Sequence, residues 1–390
     1  MTQRGLWAGA AVLFVAMGVG RFAYTPLLAL MRVDAGLTVA MAGVLASSNL
    51  AGYLAGAALT MHPGVRRRRA VLTAWAAVTV VLTTAAMALP PVWWMAARFA
   101  TGVASGICFV LVVSLILDRL AKDALRFGIA LVFAGIGSGI AGSGALVMLF
   151  AAYGGSRAAW LGLAAVSAVL VLVALPALPR DIPVTDSQPG RAGADARGPV
   201  FLWLAFAYGI EGAAYIIPGT FLVALVKEIP GLASYAAGAW ILVGIVAIPS
   251  ALMWNAAARR WSTRAAFLAA LVLQTVGLVA PILLPGWTGV LILAVTLGGT
   301  FIGIGQLASA FGRELRPHRS NVALGQLTVL YGIGQVAGPL IATRISLATG
   351  SYRGALVFAA GALGVAIAGF GGYLAVARRD RAEARREERA

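Results

Sequence analysis

The sequence predicts an all-α membrane protein, with twelve transmembrane helices arranged as two pseudo-symmetric six-helix halves. Three observations carry this reading. The composition is too apolar for a water-facing surface, twelve apolar stretches each reach spanning length, and short motifs recur at one half-chain period. Of 390 residues, 61% are hydrophobic and only 11% are charged, against roughly 25% charged in a soluble domain. The 30 basic and 13 acidic residues leave a formal charge of +17. That surplus alone suggests a nucleic-acid binder, but a mean hydropathy of +0.91 excludes one. A soluble enzyme, a disordered tail and a secreted disulfide scaffold are excluded as well. Cys108 is the single cysteine, so it supports no internal bridge and no Cys-based metal site.

A membrane helix needs ~20 apolar residues. The first six stretches run Leu6–Met31, Val39–Met61, Ala70–Leu89, Val92–Leu117, Phe127–Phe150 and Ala158–Leu178. Six more follow: Val200–Val226, Leu232–Trp254, Ala265–Leu284, Trp287–Phe311, Val322–Ile341 and Ala355–Ala377. Pro, Gly or charge breaks the pattern between them, as helix ends require. Only helices or closed barrels satisfy every backbone group in lipid. The strict alternation of ~10-residue barrel strands is absent, so the stretches are helical. The first is too long for a signal peptide and contains Arg21, so it is expected to be retained as a helix.

Basic residues orient the chain. With the N-terminus in the cytoplasm, five of the 30 Lys and Arg fall outside and two, Arg21 and Arg98, lie inside helices. The other 23 are cytoplasmic, as are both termini. The segment 179–199 is rich in Pro, Gly, Ala and charge and reads as a flexible cytoplasmic linker. It separates a first half, 1–178, from a second, 200–377, with a short cytoplasmic tail at 378–390.

The halves echo each other. Tyr24-Thr25-Pro26 recurs as Tyr215-Ile216-Ile217-Pro218, the basic cluster Arg66 to Arg69 as Arg259-Arg260, and Gly135-Ile136-Gly137 as Gly332-Ile333-Gly334. Each echo is weak alone, but together they keep one offset and one order. Two six-helix repeats in one orientation fit a transporter plan with a central site between them.

Several runs resemble the major facilitator superfamily over essentially the whole chain. Arg98-Phe99-Ala100-Thr101-Gly102-Val103-Ala104-Ser105-Gly106 is similar to the superfamily's motif in the fourth helix. The loop Gly64-Val65-Arg66-Arg67-Arg68-Arg69 keeps the bases of the family's loop motif and lacks its Asp. Gly135 to Gly144 has the glycines of an antiporter-type motif and no Pro. Gly20-Arg21-Phe22-Ala23-Tyr24-Thr25-Pro26 and Gly332 to Pro339 resemble a bacterial branch of transporters of uncharacterised function. The resemblance implies secondary active transport in a bacterial inner membrane, and places helices 1, 4, 7 and 10 around a central cavity.

Charge inside a membrane is costly, ~2.5–3.5 kcal/mol at a helix centre, which singles out Arg21, Arg98 and Glu211. At ~1.5 Å per residue, both arginines fall in the outer half and Glu211 near the midplane. Glu211 is expected to neutralise one arginine and leave a positive charge for a carboxylate or phosphate of a small organic substrate. It is also the one protonatable group placed to couple transport to protons, with Arg98 beside it. The alternative is structural, with Arg98 and Glu211 tied to backbone carbonyls or to each other. Tyr24, Asn49, Tyr208, Tyr215 and Gln335 lie at similar depths and can bond substrate or neighbouring helices. Pro26 and Pro218 are expected to kink their helices beside the site.

Other signals fail. Gly137 to Gly142 matches G-x-G-x-x-G but lies in an apolar helix with no preceding strand. No Walker A sequence is present, and His62 and His318 are loop residues. No cofactor, metal or nucleic acid is expected, and the chain is expected to be monomeric in the bilayer. Trp7, Trp93, Trp94, Trp254, Trp261 and Trp287 are expected to form interfacial belts. Two alternatives stay open: efflux of apolar or cationic compounds with Glu211 as cation ligand, and a non-transporting receptor on the same fold.

Overall fold

A computed structural model describes residues 3–62, 69–117, 125–178, 199–284, 286–317 and 320–387. The linker 179–198 and most of the Gly64–Arg69 loop fall outside these residues. Among the described residues there is no strand, and eleven helices are long and apolar enough to cross a membrane. They are α1 (Gln3–Asp34), α2 (Val39–Leu59), α3 (Arg69–Ala86), α4 (Trp94–Leu117), α5 (Leu125–Ala174) and α6 (Pro199–Lys227). The remainder are α7 (Ala236–Arg260), α8 (Thr263–Leu283), α9 (Trp287–Leu315), α10 (Ser320–Thr349) and α11 (Arg353–Glu387).

The 50 residues of α5 would extend about 75 Å if straight, more than twice a ~30 Å bilayer core. They do not run straight. Gly154 and Gly155 leave helical geometry, Gly155 at φ 61° and ψ −149°, a region a side chain rarely tolerates. A methyl added at Gly162 would overlap the Phe150 ring. Twelve residues apart on a straight helix, those two would be ~18 Å apart. The chain therefore doubles back at the glycine pair. Asp34, at the end of α1, accepts from the Ser156 N–H at 2.5 Å and the Ser156 hydroxyl at 2.8 Å, and so clasps this corner.

Small residues decide which helices touch. Added side chains at Gly52 and Gly56 of α2 would strike the backbone of α4 at Phe99 and Val103. Those at Gly102 and Gly106 of α4 would strike α2 at Asn49 and Tyr53. Two G-x-x-x-G pairs thus face each other, which lets the backbones meet without a hydrophobic driving force. The glycine run in α5 works on two faces. Gly135 and Gly139 abut the backbone of α1 at Ala10 and Phe14–Gly18, while Gly137 and Gly244 bring α5 against α7. That spacing follows helical periodicity and explains the run without a nucleotide.

α1 changes helix type in its middle. Phe14–Phe22 is π-helical, closed by the Ala23 N–H to the Gly18 carbonyl at 2.8 Å, and α-geometry resumes at Tyr24. Pro26 offers no N–H to the carbonyls one turn back, so the change falls where the regular ladder is already interrupted. Pro218 lies inside α6, which is helical from Pro199 to Lys227.

One expectation is corrected. Trp7, Trp93 and Trp261 are exposed, as a belt requires, but Trp94 and Trp254 turn inward. Their indole N–H groups donate to the carbonyls of Leu89 at 2.9 Å and Gly299 at 2.7 Å, since a buried indole keeps its donor paired. The last helix runs past Ala377 to Glu387. Its Ala-, Arg- and Glu-rich sequence favours helix beyond the apolar stretch.

Candidate functional site

The centre of the molecule holds two buried polar clusters and a bridge between them. The first cluster surrounds Arg98 of α4. Its Nη1 donates to the Gly20 carbonyl at 3.0 Å, and its guanidinium lies 4.5 Å from the centre of the Tyr24 ring. Asn49 of α2 donates to the Arg98 carbonyl at 2.9 Å and weakly to the Gly20 carbonyl at 3.4 Å. The Tyr24 hydroxyl donates to the Ala42 carbonyl at 3.0 Å. The hydrogen bonds that Arg98, Asn49 and Tyr24 make all go to main chain and tie α1, α2 and α4 together, while Arg98 Nε and Asn49 Oδ1 have no partner among the described residues. Such bonds to carbonyls are how a buried cation without a carboxylate is held.

Arg21 forms the bridge. It sits in the π segment of α1, with its guanidinium 4.8 Å from the Tyr53 ring centre and 5.1 Å from that of Phe22. Its Nη2 donates across to the Tyr215 hydroxyl of α6 at 2.6 Å, and Gln335 of α10 donates to the same oxygen at 2.5 Å. Tyr215 stands in a column of near-parallel rings, its centre 5.8 Å from that of Phe301 and 5.7 Å from that of Tyr331, with Tyr208 4.3 Å from Tyr331. Next to Tyr215, a cavity of about 10 Å³ lies among Phe22, Trp240 and Phe301, room for a single water molecule at most. The rings therefore close tightly here. Toward the Asp34 end, Thr25 adds a second α1–α6 bond, its hydroxyl donating to the Gly219 carbonyl at 2.5 Å.

The second cluster surrounds Glu211, one turn before Tyr215 on α6 and with no exposed surface. Oε1 accepts from the Gln274 amide of α8 at 3.1 Å, and the Gln274 carbonyl oxygen accepts from the Thr300 hydroxyl of α9 at 2.9 Å. Oε2 has no partner.

The structure thus gathers Arg21, Tyr215 and Gln335 in one bonded set and Tyr24, Asn49 and Arg98 in another. Tyr208 lies in the ring column. The expected neutralisation of an arginine by Glu211 is not observed. Among the described residues neither Arg21 nor Arg98 forms an ion pair with it. The physical reason is register: Arg21 meets α6 at Tyr215, one turn beyond the carboxyl. Nor does Arg98 pair with Glu211: its guanidinium is held by the Gly20 carbonyl of α1 and the Tyr24 ring. Sequence reasoning missed Gln274, Thr300, Tyr53 and Tyr331. Gln274 had a usable signal, an amide in an otherwise apolar stretch, where an unpaired polar group is costly.

No curated protein matches the chain. Solved structures of the same fold include a variant of the nucleoside transporter NupG. It is 18% identical, with 94% of this chain and 99% of that one aligned at a TM-score of 0.75. A bacterial homologue of the human lysosomal transporter Spinster, inward-facing and unoccupied, is 14% identical, with coverage of 95% and 97% and a TM-score of 0.74. The family model described as "Uncharacterised MFS-type transporter YbfB" matches residues 13–369. Spanning nearly all of the membrane helices, that match makes the chain a member of this MFS-type transporter family, a multi-pass membrane protein and not an enzyme.

Proposed function

We propose that the protein moves a small organic solute, with anions favoured, across a bacterial inner membrane by proton-linked alternating access. On this reading the arms of α5 on either side of Gly154–Gly155 are separate crossings. There are then twelve spans in two six-helix halves, 1–178 and 200–377, joined by the 179–199 linker, with both termini cytoplasmic. The Gly20-to-Pro26 run marks the branch, and the protein works as a monomer.

The observation that carries the proposal is the Arg21–Tyr215 bond, which joins residues 194 apart in the chain. Thr25 and Gly219 are also 194 apart. These separations nearly equal the repeat offset of Tyr24 and Tyr215, so equivalent helices meet close to the axis relating the two repeats. A substrate site in this plan lies there. Among the described residues Arg21 presents a cation with an unbonded Nε and no carboxylate partner, the chemistry that selects an organic anion. Tyr215 and Gln335 add hydrogen bonds. Glu211, with one oxygen bonded to a movable amide and one unbonded, is the protonatable group for coupling.

The test is uptake into proteoliposomes with and without an imposed proton gradient, using a panel of organic anions. Wild-type flux should follow the gradient, Arg21→Ala should lose anion uptake, and Glu211→Gln should lose the response to pH. If both variants kept wild-type flux and pH dependence, the proposed site would be wrong. A second reading, efflux of apolar or cationic compounds, draws support from the aromatic column and the unbonded Glu211 oxygen. It requires Glu211→Gln to spare anion uptake and abolish cation export. A receptor would bind ligand and show no flux.

A further inference from the structure

We propose a second binding site, distant from the central clusters, in which Arg316 holds the phosphate of an anionic phospholipid. Arg316 is the residue directly after α9 and is 7% exposed. Its guanidinium lies 3.5 Å from the centre of the Phe201 ring, and its Nη1 donates to Gln326 at 2.8 Å. Nε has no partner, and among the described residues no carboxylate pairs with this cation. A buried charge left in that state calls for an anion.

The space for one is present. Arg316 lines a cleft of about 960 Å³ between the ends of α2, α6 and α10. Apart from Arg316 and Gln326 its lining is apolar, with Met61, Leu202, Val329 and Leu330 forming the wall. Leu202 is 61% exposed, and Val329 and Leu330 about 40%, so this wall opens to the surface that faces lipid. Phe201 is the third residue of α6, and Met61 lies just beyond the end of α2. The cation is thus at the level of helix ends, where headgroups lie, and the apolar wall runs from it toward the bilayer core. Phosphate on guanidinium and acyl chain on Leu202, Val329 and Leu330 match both parts of an anionic phospholipid. Basic pockets between membrane helices recognise such headgroups by this chemistry. A soluble anion has no use for the long apolar wall.

The full-length protein would be placed in nanodiscs of phosphatidylcholine alone or of an equal mixture with phosphatidylglycerol. Thermal stability and lipid retained in native mass spectrometry are the readouts. Phosphatidylglycerol should raise the wild-type unfolding midpoint and stay bound. Arg313→Gln, which removes an exposed charge three residues away, should behave as wild type. Arg316→Gln should lower retained phosphatidylglycerol by about tenfold, the factor for ~1.4 kcal/mol, and abolish the midpoint increment. Val329→Trp, which fills the wall and leaves the cation in place, should do the same even if Arg316→Gln folds poorly. Equal retention in wild type, Arg316→Gln and Val329→Trp would overturn the proposal. So would inorganic phosphate, added to phosphatidylcholine discs, matching the phosphatidylglycerol increment, since the ligand would then be a soluble anion.

Discussion

Arg98 and Glu211 are both charged residues buried in the middle of the bundle, yet their surroundings are opposite in kind. Arg98 is bonded to a main-chain carbonyl and roofed by the Tyr24 ring, and Asn49 fixes its own carbonyl. Glu211 is bonded only to side chains, through Gln274 to Thr300, with one oxygen unbonded. Main-chain partners cannot leave without moving a helix, whereas an amide can turn about its own torsions. A fastener and a working part can thus be told apart by their partners when both are buried and charged. It also places Arg21 between the kinds, since its partner is a hydroxyl on another helix.

The comparison breaks most severely at Arg98. Arg98→Ala strips the Gly20 carbonyl of a charged donor, ~1–3 kcal/mol, and loses a desolvated cation–π contact of ~2 kcal/mol. Unfolding in detergent should show a loss of about 3–5 kcal/mol, and flux should fall with the folded fraction. An unchanged midpoint would erase the distinction between Arg98 and Glu211. Glu211→Gln should do the reverse, with stability held within about 1 kcal/mol because an amide still bonds Gln274. Flux driven by a proton gradient should drop at least tenfold, about 1.4 kcal/mol, and lose its pH dependence. A smaller effect is expected at Tyr215→Phe, which takes the acceptor from both Arg21 and Gln335. Half-saturation should rise several-fold, about 1 kcal/mol, with the maximal rate largely kept. The smallest is Thr300→Val. It removes one outer bond to Gln274, and a modest shift in the pH profile of transport is expected, within about 1 kcal/mol.

Much of the fold was legible because lipid imposes a simple code. The apolar stretches, the glycine faces and the cost of buried charge each follow from one sequence and one solvent. The depth of Arg21 and Glu211 was readable from rise per residue, but their partners were not. Pairing depends on the rotation and register of helices 190 residues apart, and one turn decided between Glu211 and Tyr215. The π segment left no trace in composition, since Phe14 to Phe22 reads as an ordinary apolar helix. Trp94 and Trp254 were misplaced for a related reason. A span end is visible in sequence, while the face a ring turns toward is set by its neighbours.

The glycine run of α5 has a mechanical consequence. Where α5 meets α7, Gly137 and Gly244 put backbone against backbone, and the α7 side chains that reach α5 there, Ile248 beside Gly137 and Ile241 beside Gly144, meet glycine rather than another side chain. Helices that mesh through ridges and grooves must lift over one another to change angle. A smooth contact behaves as a plain bearing, which resists separation through close van der Waals approach and gives way to a small roll. A side chain added at Gly244 would put a tooth on that bearing and lock the roll before it touched either charged cluster.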